Sequence, residues 1–224
     1  MSWLIWRSCG LLLALVTGVG AAADDKLIAA AERGDATELI GLLHAGAKVN
    51  APDARGRNAV LAATQGGHLN AARLLIERGA DVNAQDNIRD SAFLLAGARG
   101  HTEIARLAIA AGANLKSTNR YGGTALIPAC HYGHVETVRL LLTAGVAVDH
   151  VNDLGWTALL EAVILGDGGP KYVQIVQLLI SHRADLNLAD RHGVTPLAHA
   201  LQRNQTEIIA LLKSAGASAV KPRS

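Results

Sequence analysis

The chain has 224 residues, a formal net charge of +2 and a hydrophobic fraction of 50%, and only 3% of its residues are aromatic. With a net charge so close to zero and no long run of like charges, the composition gives no reason to expect nucleic acid or an anionic membrane surface as a partner.

The first 23 residues differ from the rest of the chain. Arg7 is the only charged residue before Asp24, residues 10–23 are apolar or small, and the segment ends in three alanines. A positive start, a short apolar run and an A-x-A site are typical of a secretory signal peptide, and we predict cleavage after Ala23. Because the apolar run is shorter than the ~20 residues that span a bilayer, we expect no membrane insertion after cleavage; an uncleaved N-terminal anchor is the alternative.

A sequence pattern starts at Asp53 and recurs at Asp86 and at Asn119, with a period of 33 residues. In the segment 119–151, two helices are predicted, the second over Val135–Leu142, with glycines at their ends. A fixed period of this length indicates a repeat architecture. We predict six units followed by a tail at 219–224; the units are 24–52, 53–85, 86–118, 119–151, 152–189 and 190–218.

Two units depart from the pattern. The unit 24–52 lacks the opening turn, as expected for a terminal repeat that has only one neighbour. The unit 152–189 has 38 residues. Its excess lies in Leu165–Lys171, where three glycines and a proline predict a loop between the two helices.

Several short motifs resemble the ankyrin repeat. The Gly-His turn between the helices is matched at Gly67-His68, Gly100-His101 and Gly133-His134. The closing hexapeptide GADVNA is matched at 79–84, and the opening triplet is matched at Thr195-Pro196-Leu197. The resemblance covers residues 24–218 and implies an all-α solenoid of helix-turn-helix units with hairpin-like loops, acting as a non-catalytic protein-binding module. The long fifth unit is similar to a variant found in exported bacterial ankyrin proteins, which together with the signal peptide implies a periplasmic location.

The sequence also departs from the ankyrin pattern. Arg89 and Arg183 replace glycines, which leaves the turn geometry at both places open. The histidine that usually follows the opening triplet is absent, so we expect the loops to be held more by apolar packing; its positions hold Leu61, Leu94, Ile127, Leu160 and Ala198.

The resemblance implies that the second, third, fifth, thirteenth and fourteenth residues of each unit face a groove. Aromatic and basic residues gather at these positions, and Tyr, Trp and Arg are the residue types that dominate binding hot spots. The alternative is that Trp156 packs on the next hairpin and the tyrosines are ordinary surface residues. The predicted partner-binding residues are Trp156, Tyr121, Tyr132, Leu154, Arg55, Arg57, Arg99, Arg120, His131 and Arg203.

Catalytic and metal-binding functions have little support in the sequence. Cys130, His131 and His134 form a C-H-x-x-H cluster of zinc-ligand types. However, His134 stands at the structural Gly-His turn and Cys130 on the small face of the first helix, so the three side chains are predicted to point apart. We therefore predict no catalytic residue, metal or cofactor, and leave a metal-dependent or catalytic role around Cys130 and His131 as the third hypothesis.

The second hypothesis is an accessory or chaperone-like role that protects an exported enzyme. It shares with the first a periplasmic protein as the expected partner. The array itself is expected to be a monomer.

Overall fold

The computed structural model describes residues 22–220. The predicted signal peptide lies outside the described residues except for its last two positions, and so do residues 221–224 of the predicted tail. The described residues form twelve α-helices and no β-strand: α1 (22–33), α2 (Ala36–His44), α3 (Ala59–Gln65), α4 (Leu69–Glu77), α5 (Ala92–Arg99), α6 (Thr102–Ala110), α7 (Leu126–Tyr132), α8 (Val135–Thr143), α9 (Ala158–Leu165), α10 (Pro170–Ser181), α11 (Pro196–Gln202) and α12 (Thr206–Ser214).

The helices stack in two layers. From α3 to α11 each odd-numbered helix packs on the next odd-numbered one, and from α2 to α12 each even-numbered helix packs on the next even-numbered one. Within a unit the two helices pack on each other, as α7 and α8 do. This arrangement is a solenoid, and the predicted all-α fold is confirmed. Among residues 22–220, every helix is too short or too polar to cross a bilayer.

The first helix of most units begins at a hydroxyl or amide side chain. Asn58, Ser91, Thr157 and Thr195 each accept a hydrogen bond from the backbone N–H three residues further on. Such a side chain satisfies one of the backbone donors that a helix start leaves free. The small residues predicted to allow close helix approach, Ala62-Ala63 and Ala129-Cys130, are fully buried.

An Asp or Asn at the start of each of the second to sixth units holds the loop that precedes the first helix. The side-chain oxygen of this residue accepts hydrogen bonds from the backbone N–H groups two and four residues further on, which closes a tight turn. The residues are Asp53, Asp86, Asn119, Asn152 and Asp190. Beneath the loops, Leu61, Leu94, Ile127 and Leu160 are buried where the histidine of the ankyrin pattern is missing.

The two arginines that replace glycines keep the turn geometry. Arg89 and Arg183 adopt the left-handed conformation, with φ of 64° and 63°. The turn around Arg89 is also held by the Gln85 side-chain amide, which donates to the Arg89 carbonyl at 2.8 Å. A non-glycine residue in this region costs about 1 kcal/mol, which the surrounding hydrogen bonds offset.

The predicted loop Leu165–Lys171 is wrong at both ends. Helix α9 extends through Leu165, and α10 begins at Pro170, so the connection is only 166–169. Proline is favoured in the first turn of a helix, where its missing N–H has no partner to lose. Helix α10 has 12 residues, whereas α8 has 9, so part of the extra length of the fifth unit extends its second helix.

Candidate partner-binding surface

A cavity of about 320 Å³ lies on the side of the molecule formed by the loops and the first helices of the third to fifth units. We call it the aromatic pocket. The structure brings six of the predicted binding residues together in its wall: Trp156, Tyr121, Tyr132, Leu154, Arg120 and His131. Further side chains in the wall are Asp90, Ile127, Pro128, Glu161 and Leu165.

Two loops position the outer rim of the aromatic pocket. The Asn119 side chain accepts from the backbone N–H of Tyr121 at 2.9 Å, and the Asn152 side chain accepts from Leu154 and Trp156 at 3.0 Å each. The N–H of Asp153 donates to the Tyr121 carbonyl at 2.9 Å, which joins the two loops. Tyr121 is 54% exposed and Leu154 is 53% exposed, so large apolar side chains stand in solvent on a fixed backbone.

The end of α7 forms a second side of the pocket. The rings of His131 and Tyr132 stack with centroids 4.3 Å apart and an interplanar angle of 12°. Gly133 ends the helix in the left-handed conformation, directly after Tyr132. The Tyr172 hydroxyl of α10 donates to the His131 carbonyl at 2.7 Å. The Tyr172 hydrogen bond holds the backbone at the end of α7, and stacking sets the two rings against each other.

Arg120 is already paired within the chain. Its guanidinium carbon lies 4.6 Å from the centroid of the Tyr121 ring, and Nη1 lies 3.5 Å from Oδ2 of Asp90. Burial raises the pKa of Asp90, and the positive charge of Arg120 acts against that rise. The Arg120 charge is therefore largely matched by Asp90.

Glu161 is a buried carboxyl in the pocket wall. It stands in the first turn of α9, and its side chain is 9% exposed. Its Oε1 lies 3.4 Å from Nδ1 of His131, and its Oε2 is buried without a hydrogen-bond partner. Burial raises the pKa of Glu161 to about 7, and burial lowers the pKa of His131. Near neutral pH the pocket therefore holds a partly ionised carboxyl beside a neutral imidazole.

Arg57 differs from the prediction that its charge is available to a partner. Its side chain is only 4% exposed. The guanidinium lies 2.9 Å from Oδ2 of Asp53 and 3.1 Å from Oε1 of Glu32, and it donates to Oε1 of Gln65 at 2.6 Å. Because these acceptors occupy its donors, Arg57 ties the first unit to the second instead of facing solvent.

The other three predicted arginines lie outside the aromatic pocket. Arg55 is 59% exposed, pairs with Glu32 and lines a separate cavity of about 230 Å³. Arg99 lines a shallow cavity of about 600 Å³ that shares Arg120 with the pocket. Arg203 donates to the Gly166 carbonyl at 3.3 Å.

The Cys130–His131–His134 cluster does not form a common site. Cys130 is fully buried, and burial strongly raises the pKa of its thiol. Burial also lowers the pKa of His134, whose ring packs over Gly100 in the neighbouring unit. Between residues 22 and 220, the structure contains no group of three His, Cys, Asp or Glu side chains that could hold a metal ion.

Sequence reasoning missed Glu161, whereas Asp90, the fifth residue of the third unit, is one of the predicted groove positions but was not among the predicted binding residues. The available signal for Glu161 was a single acid inside the apolar helix ALLEAVIL. The equivalent positions of the other full units hold Ala62, Leu95, Pro128 and His199. A carboxyl at a position that faces packed helices is costly unless it is paired, so it is a candidate functional residue.

Comparisons with known proteins agree on one family. The model described as ankyrin repeats (3 copies) matches residues 11–86, 27–119, 93–168 and 145–222. A crystallised ankyrin repeat domain from Acinetobacter baumannii AYE is 54% identical, with a TM-score of 0.83, and the match covers 86% of this chain and 98% of that one. A second crystallised ankyrin repeat protein is 39% identical, with a TM-score of 0.80, over 86% of this chain and 97% of that one.

One curated relative matches over a shorter stretch. The putative ankyrin repeat protein YahD of Escherichia coli K12 is 51% identical over 57 residues. The match covers 25% of this chain and 28% of the length of YahD.

Proposed function

The chain belongs to the ankyrin repeat family, and we propose that it is a periplasmic interaction module that binds a segment of a partner protein over the aromatic pocket. Ankyrin repeats are in general protein-interaction modules without catalytic activity.

The exposed aromatic residues of the aromatic pocket carry the proposal. Tyr121 and Tyr132 are each 54% exposed, although most of the large apolar side chains of the described chain are buried. Tyrosine and tryptophan offer large contact areas with few rotatable bonds, so their ordering on binding costs little entropy. Their grouping with Leu154 around a concavity fits a binding hot spot.

Pre-organisation of the pocket also supports binding. The loop tips are fixed by Asn119 and Asn152, and the Tyr132 ring is stacked on His131. A partner would therefore meet side chains that are already in place, which reduces the entropy lost on association.

The N-terminal sequence supports the proposed location. Residues 1–23 have the charge and hydropathy pattern of a secretory signal peptide. N-terminal sequencing of the protein isolated from cells, together with fractionation, tests this part, and a cytoplasmic protein with an intact N-terminus would contradict it.

Crosslinked capture tests the binding surface. The tagged wild-type protein is crosslinked in cells and compared with the triple variant Tyr121→Ala/Tyr132→Ala/Trp156→Ala. Ile88→Ala is the matched control, because Ile88 occupies the same loop position in the third unit as Tyr121 does in the fourth and is 51% exposed.

We expect a protein that is recovered with wild type and with Ile88→Ala and is lost with the triple variant. Thermal unfolding of each variant establishes that the fold is retained. Equal recovery with the triple variant would contradict the proposed surface.

A further inference from the structure

The aromatic pocket contains an acid whose hydrogen-bonding capacity is unfilled. Oε2 of Glu161 is buried and has no partner, and Oε1 has only the 3.4 Å contact with His131. A buried carboxylate without donors is strongly disfavoured compared with one that is paired. Since Oε2 is closed off from solvent, a donor from outside the chain would have to reach Oε1, whose only contact is the long one with His131.

Two cations near the pocket already have partners within the chain, and a third, Arg99, lies in the adjoining cavity. Arg120 lies against Asp90 and over the Tyr121 ring, and Arg203 donates to the Gly166 carbonyl. His131 is the nearest ionisable donor, but burial lowers its pKa and favours its neutral form. Asp90 therefore has a cation partner in Arg120, whereas His131 is the only basic side chain of the described residues within salt-bridge distance of Glu161.

The remaining wall suits a planar cation with an apolar stem. Trp156, Tyr121 and Tyr132 provide aromatic faces, and Leu154 and Ile127 provide apolar surface. A guanidinium is planar, stacks on aromatic rings and is less strongly hydrated than an ammonium group.

We propose that the aromatic pocket receives an arginine side chain of the partner protein, with its guanidinium on the Glu161 carboxylate and its stem against the aromatic and apolar wall. This inference rests on the proposed function and specifies which residue of the partner is recognised. An anionic residue would meet two acids, and an apolar residue would leave Glu161 unpaired.

The probes are short peptides that differ at one position. Isothermal titration calorimetry at pH 8 measures the binding of acetyl-Gly-Gly-Arg-Gly-Gly-amide to the full chain, beside peptides with citrulline or lysine at the centre. Citrulline keeps the length and planarity of arginine and removes the charge. We expect the citrulline peptide to bind at least about tenfold more weakly, the effect of losing one charge-assisted hydrogen-bonded pair, and the lysine peptide to lie between the two.

The variant Glu161→Gln is expected to bind the arginine and citrulline peptides equally. Glu103→Gln is the charge-matched control, because Glu103 lies on α6 and its side chain is 59% exposed, outside the pocket wall. It is expected to keep the full discrimination. Glutamine fills the same volume as glutamate, and thermal unfolding of both variants checks that the fold is retained.

Three results would overturn the inference: equal binding of the arginine and citrulline peptides, discrimination that survives in Glu161→Gln, or no binding of the arginine peptide at millimolar concentration. The capture experiment separates this failure from failure of the proposed function. A partner that is lost with the triple aromatic variant but recovered with Glu161→Gln leaves the interaction surface in place and removes arginine recognition. If the triple variant loses no partner, the proposed surface itself fails.

Discussion

Nδ1 of His131 lies 3.4 Å from Oε1 of Glu161, yet near neutral pH the two groups do not form a full ion pair. Burial raises the pKa of Glu161 to about 7 and lowers the pKa of His131, so the ionised forms of both groups are disfavoured. The pair keeps a carboxyl available in the pocket wall without committing it to an internal cation.

The stability of the protein is expected to depend on pH through Glu161. Its folded pKa of about 7 exceeds the ordinary value of 4.5, so the folded state holds a proton that the unfolded state releases between these values. Stability from this group is therefore present at low pH and is lost as pH rises towards 7. We expect Glu161→Gln to gain stability relative to wild type by about 2 kcal/mol between pH 5 and pH 8, measured by urea unfolding.

Comparison of wild type with Glu161→Gln at each pH removes the contribution of the histidines to the pH dependence of stability, because both proteins contain them. His131 is the exception, since it contacts the substituted side chain. A stability difference that stays constant between pH 5 and pH 8 would mean that Glu161 titrates near its ordinary value.

Binding of the arginine peptide is expected to weaken as pH falls. The guanidinium requires the ionised carboxylate of Glu161, which becomes protonated below about pH 7. One pH unit below that value, affinity should fall about tenfold. Protonation of His131 at lower pH acts in the same direction, and Asp90, Arg120, Tyr121 and Tyr132 are the other ionisable groups that face the pocket.

Fluorescence of Trp156 provides the measurement, because this tryptophan lies in the pocket wall. After the predicted cleavage Trp156 is the only tryptophan of residues 24–224, and in the uncleaved chain the variant Trp156→Phe separates its signal from that of Trp3 and Trp6. In Glu161→Gln the remaining affinity should change much less between pH 6 and pH 8, because only the weaker effect of His131 is left. An arginine-peptide affinity that is independent of pH in wild type would contradict the role of Glu161.

Replacing Arg183 by glycine is expected to stabilise the protein. Arg183 has φ of 63° at a turn where α4, α6, α8 and α12 end with glycines of positive φ. A glycine removes the strain of the left-handed conformation, so Arg183→Gly should raise the free energy of unfolding by about 1 kcal/mol. Gly112→Arg is the reverse test, since a Cβ at Gly112 meets open space and the cost should come from the backbone alone.

Both substitutions are measured by urea unfolding under the same conditions. Arg89→Gly should gain less, because the Arg89 side chain donates to the Thr118 hydroxyl at 3.3 Å. A loss of stability in Arg183→Gly would show that contacts of the arginine side chain outweigh its backbone strain.

The sequence was sufficient to predict the repeat and the residues on its loop tips. The 33-residue period places Tyr121 and Leu154 at corresponding positions of adjacent units, and the structure places both in one wall. Periodicity determines which residues face the same side, because each unit repeats the same backbone path.

Periodicity could not show which charged side chains remain exposed and able to contact a partner. Arg55 and Arg57 are two residues apart on one loop, yet one is 59% exposed and the other 4% exposed. The difference depends on Glu32, which comes from the preceding unit, and no local pattern reports such a contact. The same limit applies to Glu161, whose burial depends on the packing of α9 against α7 and α11.

Arg57 is expected to be the residue that holds the first unit to the array. Burial of Asp53 favours its neutral form, but hydrogen bonds from the backbone and side chain of Arg57 outweigh that effect and lower the pKa of Asp53. A hydrogen bond from Arg57 also lowers the pKa of Glu32. Arg57→Met should reduce the free energy of unfolding by about 2 kcal/mol, because it removes the side-chain hydrogen bonds to Asp53 and Glu32 while the backbone donors to Asp53 remain.

Arg55→Ala is the matched control, two residues away and exposed; its effect should stay within about 0.5 kcal/mol. Asp53 and Glu32 have lowered pKa values, so the stability they contribute is present above their ordinary values and is lost as pH falls through the folded ones. The deficit of Arg57→Met should accordingly shrink below about pH 4. Hydrogen exchange should show that α1 and α2 lose protection first in this variant, and uniform loss along the whole array would contradict a local anchoring role.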